Sequence, residues 1–364
     1  MFVISTRNFP PEVGGMQNLM GGLATALINH GPVKVFADKS ENFEKYDKLS
    51  KVEIERFGGI KLLRKYRKAN RLTECIKDNK NIRSIFFDHW KSVEKVNFEI
   101  IKNIPTFCLI HSKEINHPKD SGMNKRVLNS LFKAKYIIAN SNFTKNLAVQ
   151  IGLPREKIHI IHPGHDEPVK IENNFEIEAN NLFKDSFPKI LTVARLDRRK
   201  NHQNILMCIR NLKEKFPKIK YISIGDGEEK NKLSSLVKEL NIEKEVLFIN
   251  QASQKLKIAL IKNSNLFLMP SIIFKKSVEG FGISFIEASC YGKGSIGGKD
   301  GGEKDAIQNG VTGYLCDGNN LNSIHENIIK FFENDNHKKF GRNALEFSKD
   351  FKWNKIVKKY LKLI

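Results

Sequence analysis

The chain has 364 residues, 40% of them hydrophobic, and a formal charge of +22 at pH 7. That length suits two α/β domains with ordinary cores, and no apolar run approaches the roughly 20 residues that cross a bilayer. The start, Met1-Phe-Val-Ile-Ser, has no basic region and no cleavage site, so it reads as a first strand and the protein is expected in the cytosol. Five scattered cysteines without a Cys-x-x-Cys pair argue against a disulfide framework and a structural zinc site. The charge has two open readings: an acidic partner such as nucleic acid, anionic lipid or a phosphorylated substrate, or drift in a composition rich in Lys, Asn and Ile.

In the first half, strands are expected at Phe2–Ser5, Val33–Ala37, Ser84–Asp88, Thr106–His111, Tyr136–Ser141 and Ile158–His162. Phe9-Pro-Pro-Glu-Val-Gly14-Gly15-Met-Gln17 follows the first of them. It opens a helix on which Met16, Met20, Leu23 and Leu27 form one apolar stripe. Gly14 and Gly15 at such a turn let the backbone approach a ligand, and the helix start offers free N–H groups to a phosphate. A tight turn that needs a glycine at positive φ leaves the same trace. The spacing is neither the dinucleotide fingerprint nor a P-loop. Lys61-Leu-Leu-Arg-Lys-Tyr-Arg-Lys-Ala-Asn-Arg71 sets six basic residues among Leu62, Leu63, Tyr66, Ala69 and Leu72. At helical spacing this segment can lie on an anionic bilayer. A solvated helix that packs its apolar side on the domain looks identical. His111 ends its strand and points at the ligand end of the sheet. His159, His162 and His165 cross from a strand into a Pro-Gly turn, which denies them a common face, so no metal site is expected.

His162-Pro-Gly-His-Asp166 closes the first half. The polar stretch from Glu167 to about Asp185 reads as a linker, which gives domains 1–166 and 167–351. The second half has strands expected at Ile190–Ala194, Tyr221–Gly225, Val246–Ile249, Leu266–Pro270, Ser295–Gly297 and Gly313–Cys316. Strand–helix alternation with near-continuous apolar strands marks parallel sheets covered on both faces. Two similar α/β folds facing each other across a cleft are expected, with ligands at the carboxyl ends of the strands.

Ala194-Arg195-Leu-Asp-Arg-Arg-Lys200-Asn201 brings Arg195 and Lys200 to such an end, where they can neutralise a diphosphate; a solvated basic loop is the alternative. Ile224-Gly225-Asp226-Gly227 usually means only a turn. Ser277-Val-Glu279-Gly-Phe-Gly-Ile-Ser-Phe-Ile-Glu287 carries two carboxylates, with Gly280 and Gly282 turning into the helix that holds Glu287. Carboxylates accept hydrogen bonds from sugar and ribose hydroxyls. Glu287 stands among Phe285, Ile286 and Ala288 and is expected to be buried. Since a buried carboxylate without a partner costs several kcal/mol, a ligand is its expected partner.

With these motifs in place the chain resembles glycosyltransferase family 4 of the GT-B superfamily, two Rossmann-like domains facing each other across a cleft. It is most similar to the branch of phosphatidylinositol mannosyltransferases and related retaining hexosyltransferases. The resemblance runs from Asn8-Phe-Pro-Pro to Phe351-Lys-Trp353, and Glu279 and Glu287 with Arg195 and Lys200 are its specific part. It implies a nucleoside-diphosphate sugar donor, GDP-mannose favoured over UDP-glucose, held by the second domain. Gly15 would offer a backbone N–H to the donor diphosphate. Arg195 and Lys200 would hold that diphosphate as leaving group. Glu279 would bind the transferred sugar, with the N–H groups of Phe281, Gly282 and Ile283 reaching sugar and phosphate oxygens. Glu287 would bind the ribose, and His111, with Glu114 nearby, would sit beside the reacting sugar. The last helix, about 352–364, would cross back to the first domain. Asp300-Gly-Gly302-Glu-Lys304-Asp305 departs from the family's Ser-Gly-Gly-x-Pro-Glu, with Lys304 for proline and Asp305 for the acid.

The function implied is retaining transfer of a hexose to a lipid or glycan hydroxyl, with no metal and no cofactor required. The protein would work at the inner face of the cytoplasmic membrane if Lys61–Arg71 binds lipid. A GT-B-shaped sugar-nucleotide epimerase is the second reading. A basic nucleic-acid-binding protein ranks last, because no nucleic-acid motif is present and no nucleic acid is expected as partner.

Overall fold

The computed structural model describes residues 1–364. They form two compact units, Met1–Asp166 with Phe351–Ile364, and Glu167–Asp350. The first unit is built on seven strands: β1 (Phe2–Ser5), β2 (Val33–Asp38), β3 (Glu53–Phe57), β4 (Ser84–Phe87), β5 (Thr106–Ile110), β6 (Tyr136–Ala139) and β7 (Ile158–Ile160). They pair in parallel in the order β3-β2-β1-β4-β5-β6-β7. Successive side chains on a strand face opposite ways, so β1 serves two cores. Val3 packs with Leu72, Trp90 and Leu131 on one face, while Phe2 and Ile4 pack with Met20, Leu23, Leu27 and Tyr360 on the other.

Strand β3 was not among the expected strands. Its Glu53, Glu55 and Arg56 leave only Phe57 buried, the composition of an edge strand rather than a central one. The basic segment at 61–71 opens the helix Lys61–Asp78. Ala69, Leu72 and Cys75 of that helix enter the core, whereas Leu62, Leu63 and Tyr66 stay exposed. Four of its six cations are engaged by carboxylates: Arg64 and Lys68 by Asp38, Lys65 by Glu94, and Arg71 by Glu55 and Glu74. The closing helix, Trp353–Leu361, packs on the helix Gly15–Ile28. Trp353 fits because Gly22 and Gly164 lie beneath its ring; a Cβ at either position would come within 2.1 or 2.5 Å of it.

The second unit has six parallel strands, β8 (Lys189–Val193), β9 (Lys220–Ile224), β10 (Val246–Ile249), β11 (Leu266–Met269), β12 (Ser295–Gly298) and β13 (Gly313–Cys316), in the order β10-β9-β8-β11-β12-β13. The stretch read as a linker is a helix, Asn173–Phe183, packed on the helix Gln254–Asn263. Ala179 and Phe183 are buried, and Glu172 and Glu176 pair with Lys255 and Lys262. Phe175, Ala179 and Phe183 recur at helical spacing; the surrounding Glu and Asn residues masked that stripe.

Each sheet reverses its strand order once, between β1 and β4 in the first unit and between β8 and β11 in the second. At such a reversal the following loops part in opposite directions and leave a crevice at the carboxyl ends of the strands, the usual ligand position in a doubly wound sheet.

Candidate functional site

At the crevice of the second unit, the loop after β8 makes a 3-10 turn, Arg198–Lys200, capped by Asp197, whose carboxylate accepts the Lys200 N–H at 3.2 Å. Asn201 then takes φ 62 and donates to the carbonyls of Pro270 (3.0 Å) and Gly318 (2.7 Å). This anchoring sends Arg199 and Lys200 inward, each only 9% exposed. Both reach the same atom, Glu279 Oε2, at 2.5 Å. Burial opposes the charge of Glu279, but Lys200 and Arg199 outweigh it and hold the carboxyl down at about 2. Arg195 stands apart, with its side chain 75% exposed and only Asp197 beside it at 3.3 Å. The cluster therefore joins Lys200 to Arg199, a residue for which the sequence offered no role, and leaves Arg195 facing solvent.

The loop is buttressed from behind. His202 is buried, and burial lowers its ring to about 4, so it is neutral; it bridges the Tyr221 hydroxyl (3.0 Å) and the Arg195 carbonyl (3.3 Å). The Gly225-Asp226-Gly227 turn has a packing reason. Gly225 sits at φ 144, and a Cβ there would lie 2.0 Å from the Ala194 carbonyl oxygen. The Leu196 N–H donates to the Asp226 carbonyl at 3.0 Å, which locks the two loops together. A cavity of about 180 Å³ opens beside them, lined by Asp197, Arg198, His202, Glu229 and Asn319 among others. It is smaller than the 300 Å³ or so at which ligand pockets usually begin.

The second carboxyl beside Glu279 is Glu303, in the turn Gly302–Asp305 and 1% exposed. One of its oxygens accepts the Gly298 N–H at 3.2 Å, and the Gly302 N–H donates to the Glu279 carbonyl at 2.8 Å. Burial, then the Glu279 charge, push Glu303 up to about 8. At neutral pH it is protonated, so the carboxylates that face Arg199 and Lys200 are Glu279 and, 3.8 Å from Arg199, Asp197. Lys304 and Asp305 depart from the family pattern, yet the acid that reaches the cluster is Glu303.

Glu287 corrects an expectation. It lies on the helix Ile283–Ser289, is 23% exposed and pairs with Lys257 at 3.2 Å. It is neither deeply buried nor unpartnered, because the helix Gln254–Asn263 brings a lysine alongside. No side chain caps the start of the Glu287 helix, where Gly282 takes φ 88 and a Cβ would fall 2.5 Å from Phe285. Phe281 is buried, and Ile283 begins the helix.

In the first unit, Gly14 precedes the helix Gly15–Ile28 at φ 167, which is extended backbone and not the left-handed turn. No side chain caps this helix and no acid occupies its first turn, so its N–H groups are open to an anion. His111 follows β5, and its Nε2 lies 3.1 Å from the Asp88 carbonyl oxygen. The Glu114 carboxylate accepts the His111 backbone N–H at 2.5 Å. Asp88 is fully buried and accepts from the Arg7 N–H (2.9 Å), the Asn8 amide (3.4 Å) and the Ser92 hydroxyl (2.6 Å). The histidines at 159, 162 and 165 go separate ways, to Tyr136, Phe351 and the Asp166 carbonyl.

Comparison with known proteins follows the same two units. A model of glycosyltransferase family 4 matches residues 13–167, and one of the glycosyl transferases group 1 matches residues 173–347. An uncharacterised glycosyltransferase of Methanocaldococcus jannaschii is 30% identical over 239 residues, 64% of this chain and 58% of that protein. The GDP-mannose-dependent α-(1-6)-phosphatidylinositol monomannoside mannosyltransferase of Mycolicibacterium smegmatis is 21% identical over 340 residues, 88% of this chain and 86% of that one. The chain spans about three-fifths of the length of the first curated relatives it matches. Anabaena HepE, solved with UDP and glucose, superposes with TM-score 0.80 at 17% identity, covering 100% of this chain and 98% of that chain, a likeness of fold. The architecture is that of the GT-B proteins.

Proposed function

Because the chain belongs to the family 4 glycosyltransferases, with a family model on each half, we propose that it moves a hexose from a nucleoside-diphosphate sugar to an acceptor hydroxyl, with retention at the anomeric carbon. One observation carries this reading: Glu279 is clamped between Arg199 and Lys200 at the switch point of the second sheet. Glu279 holds sugar hydroxyls, and its own charge keeps the two cations from being left unpaired before the donor binds. With Glu303 protonated, Arg199 and Lys200 can turn to the donor diphosphate and steady it as it leaves, in a site where preorganised charge is worth more than in water. Arg195, on the solvent side of the loop, closes on the outer phosphate. Glu287 takes the ribose hydroxyls with Lys257 holding its carboxylate in place. The donor phosphate oxygen takes the acceptor proton during same-face attack, and these cations do the work for which other transferases use a metal.

GDP-mannose is the favoured donor, in line with the mycobacterial relative, and UDP-glucose is next. The acceptor is a lipid or glycan hydroxyl, for which the first unit supplies His111 and the open start of the Gly15 helix. No helix is long and apolar enough to cross a membrane. Exposed Leu62, Leu63 and Tyr66 would instead bring the protein to the surface of an anionic bilayer. Thermal-shift measurement against GDP-mannose, UDP-glucose and UDP-N-acetylglucosamine tests the donor site: a true donor raises the melting temperature by mass action. If no nucleotide sugar does so, the reading is wrong.

A further inference from the structure

The loop that carries Arg195 and Lys200 has two sides. One closes on Glu279. The other is a wall of the cavity of about 180 Å³, whose lining also comes from the helices His202–Leu212 and Lys230–Glu239. At about 30 Å³ for each water, that space holds a group of waters and is no packing defect, yet it is too small for a drug-sized ligand.

Hydrogen bonds fix which polar atoms the lining has left to offer. The Asn204 amide donates to the Gly318 carbonyl at 2.9 Å, so its oxygen is left as an acceptor. The Gln203 oxygen accepts from Lys232 at 3.3 Å, so its NH2 is left as a donor. Asp197 and Glu229 add carboxylates, and Arg198 adds a guanidinium that lies over the Phe274 ring at 5.6 Å. Two carboxylates against one guanidinium disfavour an anion, since His202 is neutral. Interleaved donors and acceptors suit hydroxyl groups, each of which donates once and accepts twice. Leu233 and Ile272 supply an apolar wall for the C–H face of a ring.

The same walls are the back of the donor loop. The Ile272 N–H donates to the Arg199 carbonyl at 2.9 Å, and the Glu229 N–H to the Leu196 carbonyl at 3.0 Å. Asp197 caps Lys200 through one carboxylate oxygen and faces Arg195 (3.3 Å) and Arg199 (3.8 Å) through the other. A hydroxyl that donates to this second oxygen shares it with Arg195 and loosens the hold on that arginine.

We propose that this cavity is an effector site for one uncharged sugar ring, set behind the donor loop, and that its occupancy frees Arg195 for the donor diphosphate. The site stands on its own lining; its effect on the donor rests on the transferase reading. Sugar and nucleoside diphosphate then tighten each other's binding by the same factor, as linkage requires.

Saturation-transfer NMR on the full chain with millimolar glucose, mannose and N-acetylglucosamine reads the sugar, and calorimetry with GDP and UDP reads the nucleotide. At least one sugar should bind and should tighten nucleoside-diphosphate binding by about fivefold or more, the low end of allosteric couplings. Asn319→Trp fills the cavity from an exposed rim position. Gln203→Ala with Glu229→Gln removes two of its polar groups without touching the Arg199–Lys200–Glu279 cluster. Each variant should weaken the sugar by about tenfold or more, as the loss of two hydrogen bonds requires, and each should still bind nucleoside diphosphate when no sugar is present. No bound sugar, sugar binding that both variants leave unchanged, or a nucleotide affinity indifferent to the sugar overturns the proposal. So does a response to spermidine in place of every sugar, which would assign the acidic lining to a cation. If the unaltered protein binds no nucleoside diphosphate, the transferase reading fails on its own account, and the two variants still decide whether the cavity takes a sugar.

Discussion

The two crevices are built on the same plan and hold their cations in different ways. In the second unit, Arg199 and Lys200 are 9% exposed and both close on Glu279, with a protonated Glu303 behind them. In the first, the Arg7 and Lys91 side chains sit half-buried without an ion pair, and Asp88 takes only the Arg7 backbone N–H. A buried cation needs a permanent counter-ion to be tolerated at all, whereas a half-buried one can wait for an anion that comes and goes. The paired arrangement makes a rigid, preorganised seat, and the unpaired one leaves its side chains free to move.

The comparison breaks most sharply at Glu279. Glu279→Ala removes the carboxylate that two buried cations share and should cost about 3–5 kcal/mol, read as a fall in the denaturant midpoint, with loss of turnover. Arg7→Gln with Lys91→Gln should leave that midpoint nearly unmoved; a large drop would show that those cations are structural too.

Next in size is a pH dependence with two limbs of opposite sign. The Glu279 folded pKa is depressed to about 2 from the ordinary carboxyl value of 4.5, so its contribution is present above 4.5 and is lost as pH falls toward 2. The Glu303 folded pKa is raised from 4.5 to about 8. Between those values the native state binds more protons than the unfolded chain, so stability declines as pH rises from 4.5 to 8 and then levels. Glu303→Gln, which keeps an acceptor for Gly298 and cannot ionise, should flatten that decline in a plot of melting temperature against pH. An unchanged slope would mean that Glu303 is already ionised at neutral pH.

Gly225→Ala tests the buttress. A Cβ 2.0 Å from the Ala194 carbonyl, at φ 144, should cost about 1–3 kcal/mol and weaken nucleotide binding by shifting the Arg195–Lys200 loop. The smallest effect on stability is expected from Arg195→Ala, within about 0.5 kcal/mol, because its only ion pair is at the surface. Its cost should appear instead in the affinity for nucleoside diphosphate, measured by calorimetry.

Central strands were legible because burial on both faces demands continuous apolar residues, as in Ile85-Phe-Phe87 and Leu266-Phe-Leu-Met269. The edge strand Glu53–Phe57 escaped because an edge needs no such run. The helix Asn173–Phe183 escaped because three apolar residues carry its packing among polar neighbours. At the site, Glu279 and Lys200 could be picked out from the loop and the turn that bear them. That Lys200 works beside Arg199 could not, since the direction of adjacent arginines in a loop depends on how Asp197 and Asn201 tie its ends.

From the chain alone came the alternation that makes two doubly wound sheets, the loops that carry charge to their carboxyl ends, and the family resemblance. The tertiary structure decided which charges meet. It gave Glu287 a lysine partner from another helix, put the Glu303 carboxyl behind Glu279, and left the Arg7 and Lys91 side chains without an ion pair. Periodicity and strand order are local or cumulative properties of a sequence, and they survive being read in one dimension. Ion pairing depends on distances of a few ångströms between residues tens of positions apart, such as the 80 that separate Arg199 from Glu279, and only the fold sets those distances.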